Sequence, residues 1–214
     1  MKYLLYFAFL LLIGCKNSTD KNEIIRNQVV TDKDIYEIVN FVVREQDSLL
    51  RKDGIKNNPY KYIIDRDAEP LLDKRDSVCI HKLDTIFSKE DLIFINAQIQ
   101  NRKNFKFTGK FINSKKVLYR EVLDSIMKES AKTNYQKHPR KIYEEIFGSD
   151  MFYTIGLPVF SKDKNTVLVK FGGDGSVFIA VYKRINNRWK FCYYVTTWIV
   201  KKNSTQQRFL CKAP

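Results

Sequence analysis

Histidine is scarce in this chain of 214 residues, where only His81 and His138 occur. Neither stands in a recognisable catalytic motif. Ser-His-Asp and Cys-His sites are assembled in space rather than along the chain, so the sequence leaves such a site open without predicting one. No catalytic residue is therefore assigned from the sequence.

The four cysteines do not form a metal-binding pattern. Cys79 and His81 would share one face of a strand in "VCIHKL", but two ligands do not make a zinc site. The chain also lacks the Gly-x-x-x-x-Gly-Lys loop that binds phosphates through its backbone. The sequence thus predicts no metal and no cofactor.

A short glycine cluster, "GGDG" at 172–175, is similar to the Gly-Gly-Asp/Glu-Glu-Phe hairpin of diguanylate cyclases. Gly175 stands in place of the acid that completes that site, and no metal-binding Asp is evident upstream. We interpret the cluster as a hairpin turn.

Acidic residues are outnumbered, with 24 Asp and Glu against 38 Lys and Arg and a net charge of +14. The basic residues are scattered and mixed with acids, as in "DKDIYE" and "KRDS". This pattern is typical of a solvated basic surface rather than a nucleic-acid interface, and no nucleic-acid partner is expected.

Long apolar runs are missing after the first segment, "MKYLLYFAFLLLIGC". Its core, 3–13, has the length of a signal peptide and is too short to span a bilayer. The ending "LIGC" resembles a bacterial lipobox. That resemblance implies cleavage between Gly14 and Cys15 and attachment of fatty acyl chains, such as palmitate, at Cys15. An ordinary signal peptide with an incidental cysteine is the alternative.

The predicted organisation is a lipoprotein signal peptide at 1–14, the lipidated cysteine and a flexible tether at 15–30, and a single α+β domain at 31–214. Lys16 stands where some lipoproteins carry an aspartate that retains them in the inner membrane. By that analogy the expected location is the cell envelope, anchored by lipid to the outer membrane.

Three helices are predicted from capping residues and apolar spacing. Thr31 and Asp34 form a capping pair before an apolar stripe that Gly54 ends. Ser88 and Asp91 repeat the pair before "LIFINAQI". A third helix, "HPRKIYEEIFG", has proline in its first turn and glycine after its end. The segment "KKVLYREVLDSIMKES" predicts a strand, a helix or both, and "PYKYIID" a short strand.

From residue 151 the chain is rich in Val, Ile, Phe, Tyr and Thr and is interrupted by the turn sequences "SKDKN", "GGDG" and "NN". This pattern predicts an antiparallel meander of three or four strands, on which the helices pack in an α+β fold. Strict alternation along the last strand predicts two sets of side chains on opposite faces: Trp189, Phe191, Tyr193 and Val195 on one, and Cys192, Tyr194, Thr196 and Trp198 on the other.

The C-terminal part resembles a family of small lipoproteins from AT-rich Gram-negative bacteria. The matching residues are Pro158, Phe160, Ser161, Asp163, Lys164, Trp189, Thr197, Trp198 and Ile199. Many such proteins carry a cysteine pair in the glycine-rich loop, and this chain has "FGGDGS" there instead. The resemblance implies location and architecture, and it implies no activity.

Three cysteines remain for an oxidising compartment once Cys15 is lipidated. The small apolar cluster "FLC" near the C-terminus is expected to dock on the sheet, which makes a bridge between Cys192 and Cys211 one hypothesis. Pairing of either cysteine with Cys79, and three unpaired thiols, are the alternatives.

Taken together, these features predict a membrane-anchored lipoprotein that serves as a binding or interaction domain in the cell envelope. Its expected partners are the membrane, through the lipid, and an envelope protein of unknown identity. The alternative is a small-ligand-binding or hydrolytic domain with a pocket between a curved sheet and its helices. A part in a surface assembly is a third interpretation.

Overall fold

The computed structural model describes residues 29–55, 58–65, 83–132, 138–173, 175–199 and 208–209. The predicted signal peptide, Cys15 and most of the predicted tether lie outside these residues. Val30 is only 4% exposed and is already part of the hydrophobic core.

Helices and short strands are interspersed in the described part of the chain: α1 (Asp32–Lys52), α2 (Lys89–Asn101), α3 (Arg120–Lys132) and α4 (Pro139–Phe147), with residues 83–86 also helical. The predicted caps are confirmed. Thr31 and Ser88 each accept a hydrogen bond from the backbone N–H three residues later, and Asp34 and Asp91 complete both capping boxes. These caps satisfy backbone donors that have no partner within the helix, and so fix where it begins.

The strands are β1 (Tyr62–Asp65), β2 (Lys116–Tyr119), β3 (Phe152–Ile155), β4 (Val159–Phe160), β5 (Thr166–Gly173), β6 (Ser176–Ile185), β7 (Arg188–Ile199) and β8 (Arg208–Phe209). Their order in the sheet is β2-β1-β3-β5-β6-β7-β8, and β4 pairs with β5. The fold is α+β, as predicted. The sheet is larger than the predicted meander, because β1 joins it between β2 and β3 and runs parallel to both.

Both faces of the antiparallel strands are buried, each under a different helix. Val167, Val169 and Phe171 of β5 belong to the cluster that packs against α1, and we call this side the α1 face. Leu168 of β5 and Val181 of β6 belong to the cluster that includes Ile95 of α2, and we call this side the α2 face. Coverage on both sides explains why these strands are almost continuously apolar in sequence.

The predicted division of β7 into two faces is wrong after Phe191, because the strand is bulged. Its register with β6 shifts twice, so that Cys192 and Val195 have no direct partner on β6. Each extra residue reverses the alternation of side chains. Phe191 and Tyr194 therefore share the α1 face, with ring centroids 4.7 Å apart, while Tyr193 and Val195 pack on the α2 face.

The predicted Asn-Asn turn between β6 and β7 is confirmed. Asn186 and Asn187 have φ angles of 51° and 59°, the left-handed conformation that both central residues of a type I′ turn require. Gly148, predicted to end α4, likewise has a φ of 65°.

Candidate functional site

An open cleft of about 650 Å³ lies where the parallel strands β1 and β2 begin, beside the last turns of α1. Its lining comes from three segments that are far apart in the chain: Asp47 and Arg51; Asn58, Tyr60, Lys61 and Tyr62; Ser114, Lys115 and Lys116. We call it the β1–β2 cleft.

A buried ion pair forms the base of the cleft. Lys115 Nζ lies 2.9 Å from Asp47 Oδ1, and their side chains are 4% and 12% exposed. Lys115 Nζ also donates to the backbone carbonyl of Tyr60 at 2.6 Å. Removing two charges from water is costly unless their remaining hydrogen-bonding capacity is used, and this pair has further partners.

Two neighbours donate to the same carboxylate oxygen. Asn58 Nδ2 lies 2.5 Å from Asp47 Oδ1, and the Tyr153 hydroxyl lies 3.3 Å from it. Burial raises the pKa of Tyr153 well above its usual range, and the negative charge of Asp47 raises it further. The phenol thus remains protonated and acts as a hydrogen-bond donor, not as a base.

The aromatic wall of the cleft consists of stacked tyrosines. The rings of Tyr60 and Tyr153 lie 4.4 Å apart at an interplanar angle of 10°, and Lys115 Nζ is 5.3 Å from the Tyr153 ring centroid. The wall depends on Gly173, because a Cβ there would lie 2.7 Å from Tyr60 Cε1. Tyr60, which lines the cleft, is thus supported by stacking on the buried ring of Tyr153.

The chain reaches the cleft through an unusual backbone conformation at Ser114, whose φ is 64°. Left-handed geometry at a residue other than glycine is unfavourable by about 1–2 kcal/mol. It is followed by Lys115, whose side chain is buried, and then by Lys116, which is exposed and whose N–H donates to the carbonyl of Lys61 at 3.1 Å. Strain of this kind concentrates at functional sites.

The rim of the cleft is strongly basic. Arg51 lies one helical turn after Asp47 and is exposed, as are Lys61 and Lys116. Within the part of the chain that the structure describes, none of these three cations forms an ion pair. The one carboxylate among the lining residues, Asp47, is already paired with Lys115, so no described carboxylate forms an ion pair with the rim cations.

A second groove, of about 660 Å³, lies between the end of α2 and the segment at 29–30. Its charge is largely compensated, because Arg102 donates to Asp32 at 2.7 Å and to the carbonyl of Val30 at 2.6 Å. It contains side-chain amides and the rings of Phe94 and Phe105. This groove joins α2 to the start of the domain and has no buried charged pair at its base.

A third polar feature is Glu45, which lies on α1 beside Tyr182 and Tyr194. Burial raises the pKa of Glu45, and the neighbouring Tyr182 hydroxyl opposes this effect. Neither Glu45 Oε2 nor the Tyr182 hydroxyl makes a hydrogen bond of good geometry within the described residues. Tyr182 is fully buried among core residues, so this feature belongs to the packing of the α1 face.

None of the described residues that the sequence singled out lines the cleft. Gly14, Cys15, Cys79, His81 and Cys211 lie outside the described residues. Cys192 is half-buried on β7 with its thiol 3.8 Å from the carbonyl of Lys190, and the bridge to Cys211 stays a prediction that non-reducing peptide mapping decides.

Sequence reasoning missed the cleft because its residues come from three distant segments. One signal was available: Asp47 lies four residues after Val43, on the apolar stripe of α1, where an acid needs a partner. No comparable signal distinguishes Lys115 from the other lysines in the chain.

No group of three or more metal-ligating side chains occurs among the described residues. In the same part of the chain, no helix has the length and apolar character needed to cross a membrane. Comparison with family models, curated proteins and solved structures finds no match for this chain.

Proposed function

We propose that this protein is a lipid-anchored binding domain of the cell envelope, and that the β1–β2 cleft receives a small ligand. The observation that supports a binding role is the pre-organised base of the cleft, where Asp47 Oδ1 is contacted by Lys115, Asn58 and Tyr153. A ligand that meets rigid, already partnered groups loses less entropy on binding than one that must order them.

The chemistry of the cleft favours binding over hydrolysis. Tyr153 donates to Asp47, and burial raises the pKa of its phenol, so the phenol stays protonated and is not available as a base. The hydrolytic alternative needs a general base, and the one carboxylate that lines the cleft already accepts from Lys115, Asn58 and Tyr153 at Oδ1, which favours a structural role for it.

The lipid anchor rests on the segment "LIGC" and the polar stretch that follows it. The experiment is labelling of cells with an alkyne fatty acid, followed by fractionation. We expect label and membrane association for the wild type and loss of both for Cys15→Ser. Label on Cys15→Ser, or a wholly soluble wild type, would refute the anchor.

The binding role is tested by blocking the cleft. Lys116→Trp places a large side chain at the cleft, whereas Lys190→Trp places the same side chain on an exposed position of β7. The probes are four classes of small molecule: neutral sugars, neutral amino acids, polyamines, and anions that are either carboxylates or phosphates. We expect calorimetry to show binding of at least one class to the wild type. Lys116→Trp should abolish that binding, and Lys190→Trp should retain it. Binding that both variants retain, or none at all, contradicts the role.

A further inference from the structure

The β1–β2 cleft concentrates positive charge beyond what the composition of the chain provides. Four of its nine lining residues are Lys or Arg, against 38 of 214 in the whole chain. Lys115 is neutralised by Asp47, and Arg51, Lys61 and Lys116 are not paired within the described residues. The enrichment is therefore an excess of unpaired cations.

The fold holds these cations together. Arg51 projects from the same side of α1 as Asp47, because the two are four residues apart. Lys61 directly precedes β1 and Lys116 begins β2, and the bond from Lys116 N–H to the Lys61 carbonyl joins the two segments. Lys61 Nζ also lies near Gly148, 3.8 Å from the position of a Cβ there, at the carbonyl end of α4.

Three like charges around one concave surface repel each other, and an anion placed among them removes that repulsion. Arginine and lysine are the side chains that proteins use to bind carboxylates and phosphates. We infer that the ligand of the β1–β2 cleft is an oxyanion, a multiply charged phosphate or carboxylate, bound between Arg51, Lys61 and Lys116 above the Asp47–Lys115 pair. This inference rests on the proposed binding role of the cleft.

The probes are inorganic pyrophosphate and citrate, titrated by calorimetry into the full chain in detergent at low salt. Removal of the rim charge, with Arg51→Gln, Lys61→Gln and Lys116→Gln together, should weaken binding at least tenfold. The control removes the same charge elsewhere, with Lys128→Gln, Lys183→Gln and Lys190→Gln at exposed positions of α3, β6 and β7. It should stay within about twofold of wild type.

A second readout separates binding from a structural role. Without an anion, the rim variant should unfold at the same or a higher temperature than wild type, since it has lost a repulsion. A structural role for the rim would lower that temperature. With pyrophosphate, the wild type and the control should gain thermal stability and the rim variant should not.

The source of the oxyanion is distinguished by two further probes that carry the same phosphate monoester, glycerol 3-phosphate and soluble dihexanoyl phosphatidic acid. At least tenfold tighter binding of the lipid assigns the site to a headgroup, and equal binding assigns it to a free phosphate. Failure of every anion to bind, or an equal loss in both triple variants, overturns the inference. A neutral sugar or amino acid that binds and is blocked by Lys116→Trp would leave the binding role intact while the oxyanion inference fails.

Discussion

The two halves of the sheet are built by different means. Strands β5, β6 and β7 pair through hairpins between neighbouring segments, and their side chains are buried beneath α1 on one face and α2 on the other. Strands β1, β2 and β3 are four residues long each and pair in parallel, although they begin at Tyr62, Lys116 and Phe152. Apolar packing dominates the first half.

Polar contacts between distant segments fasten the second half. Asp47 of α1 meets Lys115 before β2, and Ser149 Oγ donates to the carbonyl of Pro59 at 2.7 Å. Such contacts leave charged and polar groups of the second half near the surface, at the cleft. The charged and polar groups that could bind a ligand therefore lie in the second half of the sheet, where the apolar core is less extensive.

The largest expected effect comes from breaking the buried ion pair between Asp47 and Lys115. Asp47→Ala leaves the Lys115 ammonium buried without its carboxylate, and we expect a loss of about 3 kcal/mol in the free energy of unfolding. Urea denaturation measures it. Asp47→Ala combined with Lys115→Met removes the orphaned charge and should recover part of the loss. A single variant within about 0.5 kcal/mol of wild type would contradict a structural role for the pair.

Substitution of two adjacent glycines of β5, Gly172 and Gly173, compares the hairpin half of the sheet with the cleft directly. A Cβ on Gly172 would lie 2.1 Å from the carbonyl oxygen of Ser176 in the hairpin backbone, whereas a Cβ on Gly173 would meet mainly the ring of Tyr60 at the cleft. Gly172→Ala should thus destabilise the domain by about 3 kcal/mol, the range of severe overpacking, and Gly173→Ala by about 1 kcal/mol.

The affinity for pyrophosphate should also differ between Gly172→Ala and Gly173→Ala. Gly173→Ala displaces the Tyr60 wall and should weaken pyrophosphate binding severalfold, while Gly172→Ala should leave the affinity of the folded fraction unchanged. Thermal melts and calorimetry at a temperature where both variants are folded provide the measurement. The opposite order of stability would mean that the hairpin register is wrong.

How much the sequence predicts also differs between the halves. Hairpin strands have local sequence patterns. The Asn186-Asn187 turn is predictable because type I′ turns favour asparagine. The bulges at Cys192 and Val195 were missed, since nothing local marks an inserted residue in an apolar strand. The parallel pairing was missed because four-residue strands joined across more than thirty residues leave only a weak local pattern, and the cleft depends on that pairing.

A smaller effect tests the hairpin turn. Asn186→Val forces a β-branched residue into a left-handed conformation and should destabilise the domain by about 1 kcal/mol or more. Asn187→Gly should be neutral or stabilising, because glycine adopts that conformation without strain. Chemical denaturation of both variants decides, and the reverse order would place the turn elsewhere.

The smallest expected effect is the change in stability on replacing Glu45, a half-buried acid on α1. Burial raises the pKa of Glu45 in the folded state, so the folded protein holds this proton more tightly than the unfolded chain. That contribution to stability is present below the ordinary pKa of a glutamate and is lost as the pH rises towards the raised value. Glu45→Gln should therefore be more stable than wild type at pH 7, by less than about 1 kcal/mol because the side chain is only half-buried.

The same pair of variants should converge at low pH. At pH 4 and below, Glu45 is protonated in wild type, and we expect the difference in unfolding free energy from Glu45→Gln to shrink towards zero. Urea denaturation at several pH values measures the trend. A Glu45→Gln variant that is less stable than wild type at pH 7 would show instead that the folded protein stabilises Glu45 as a carboxylate.

The most direct test of the account is amide chemical-shift mapping of the isotope-labelled full chain in detergent micelles during a pyrophosphate titration. The account predicts saturable shifts confined to the cleft segments around Asp47 to Arg51, Tyr60 to Tyr62 and Ser114 to Lys116. Shifts centred instead on the β6–β7 hairpin at Lys183 and Lys190, or shifts that do not saturate, would contradict the claim that the parallel half of the sheet contains the binding site.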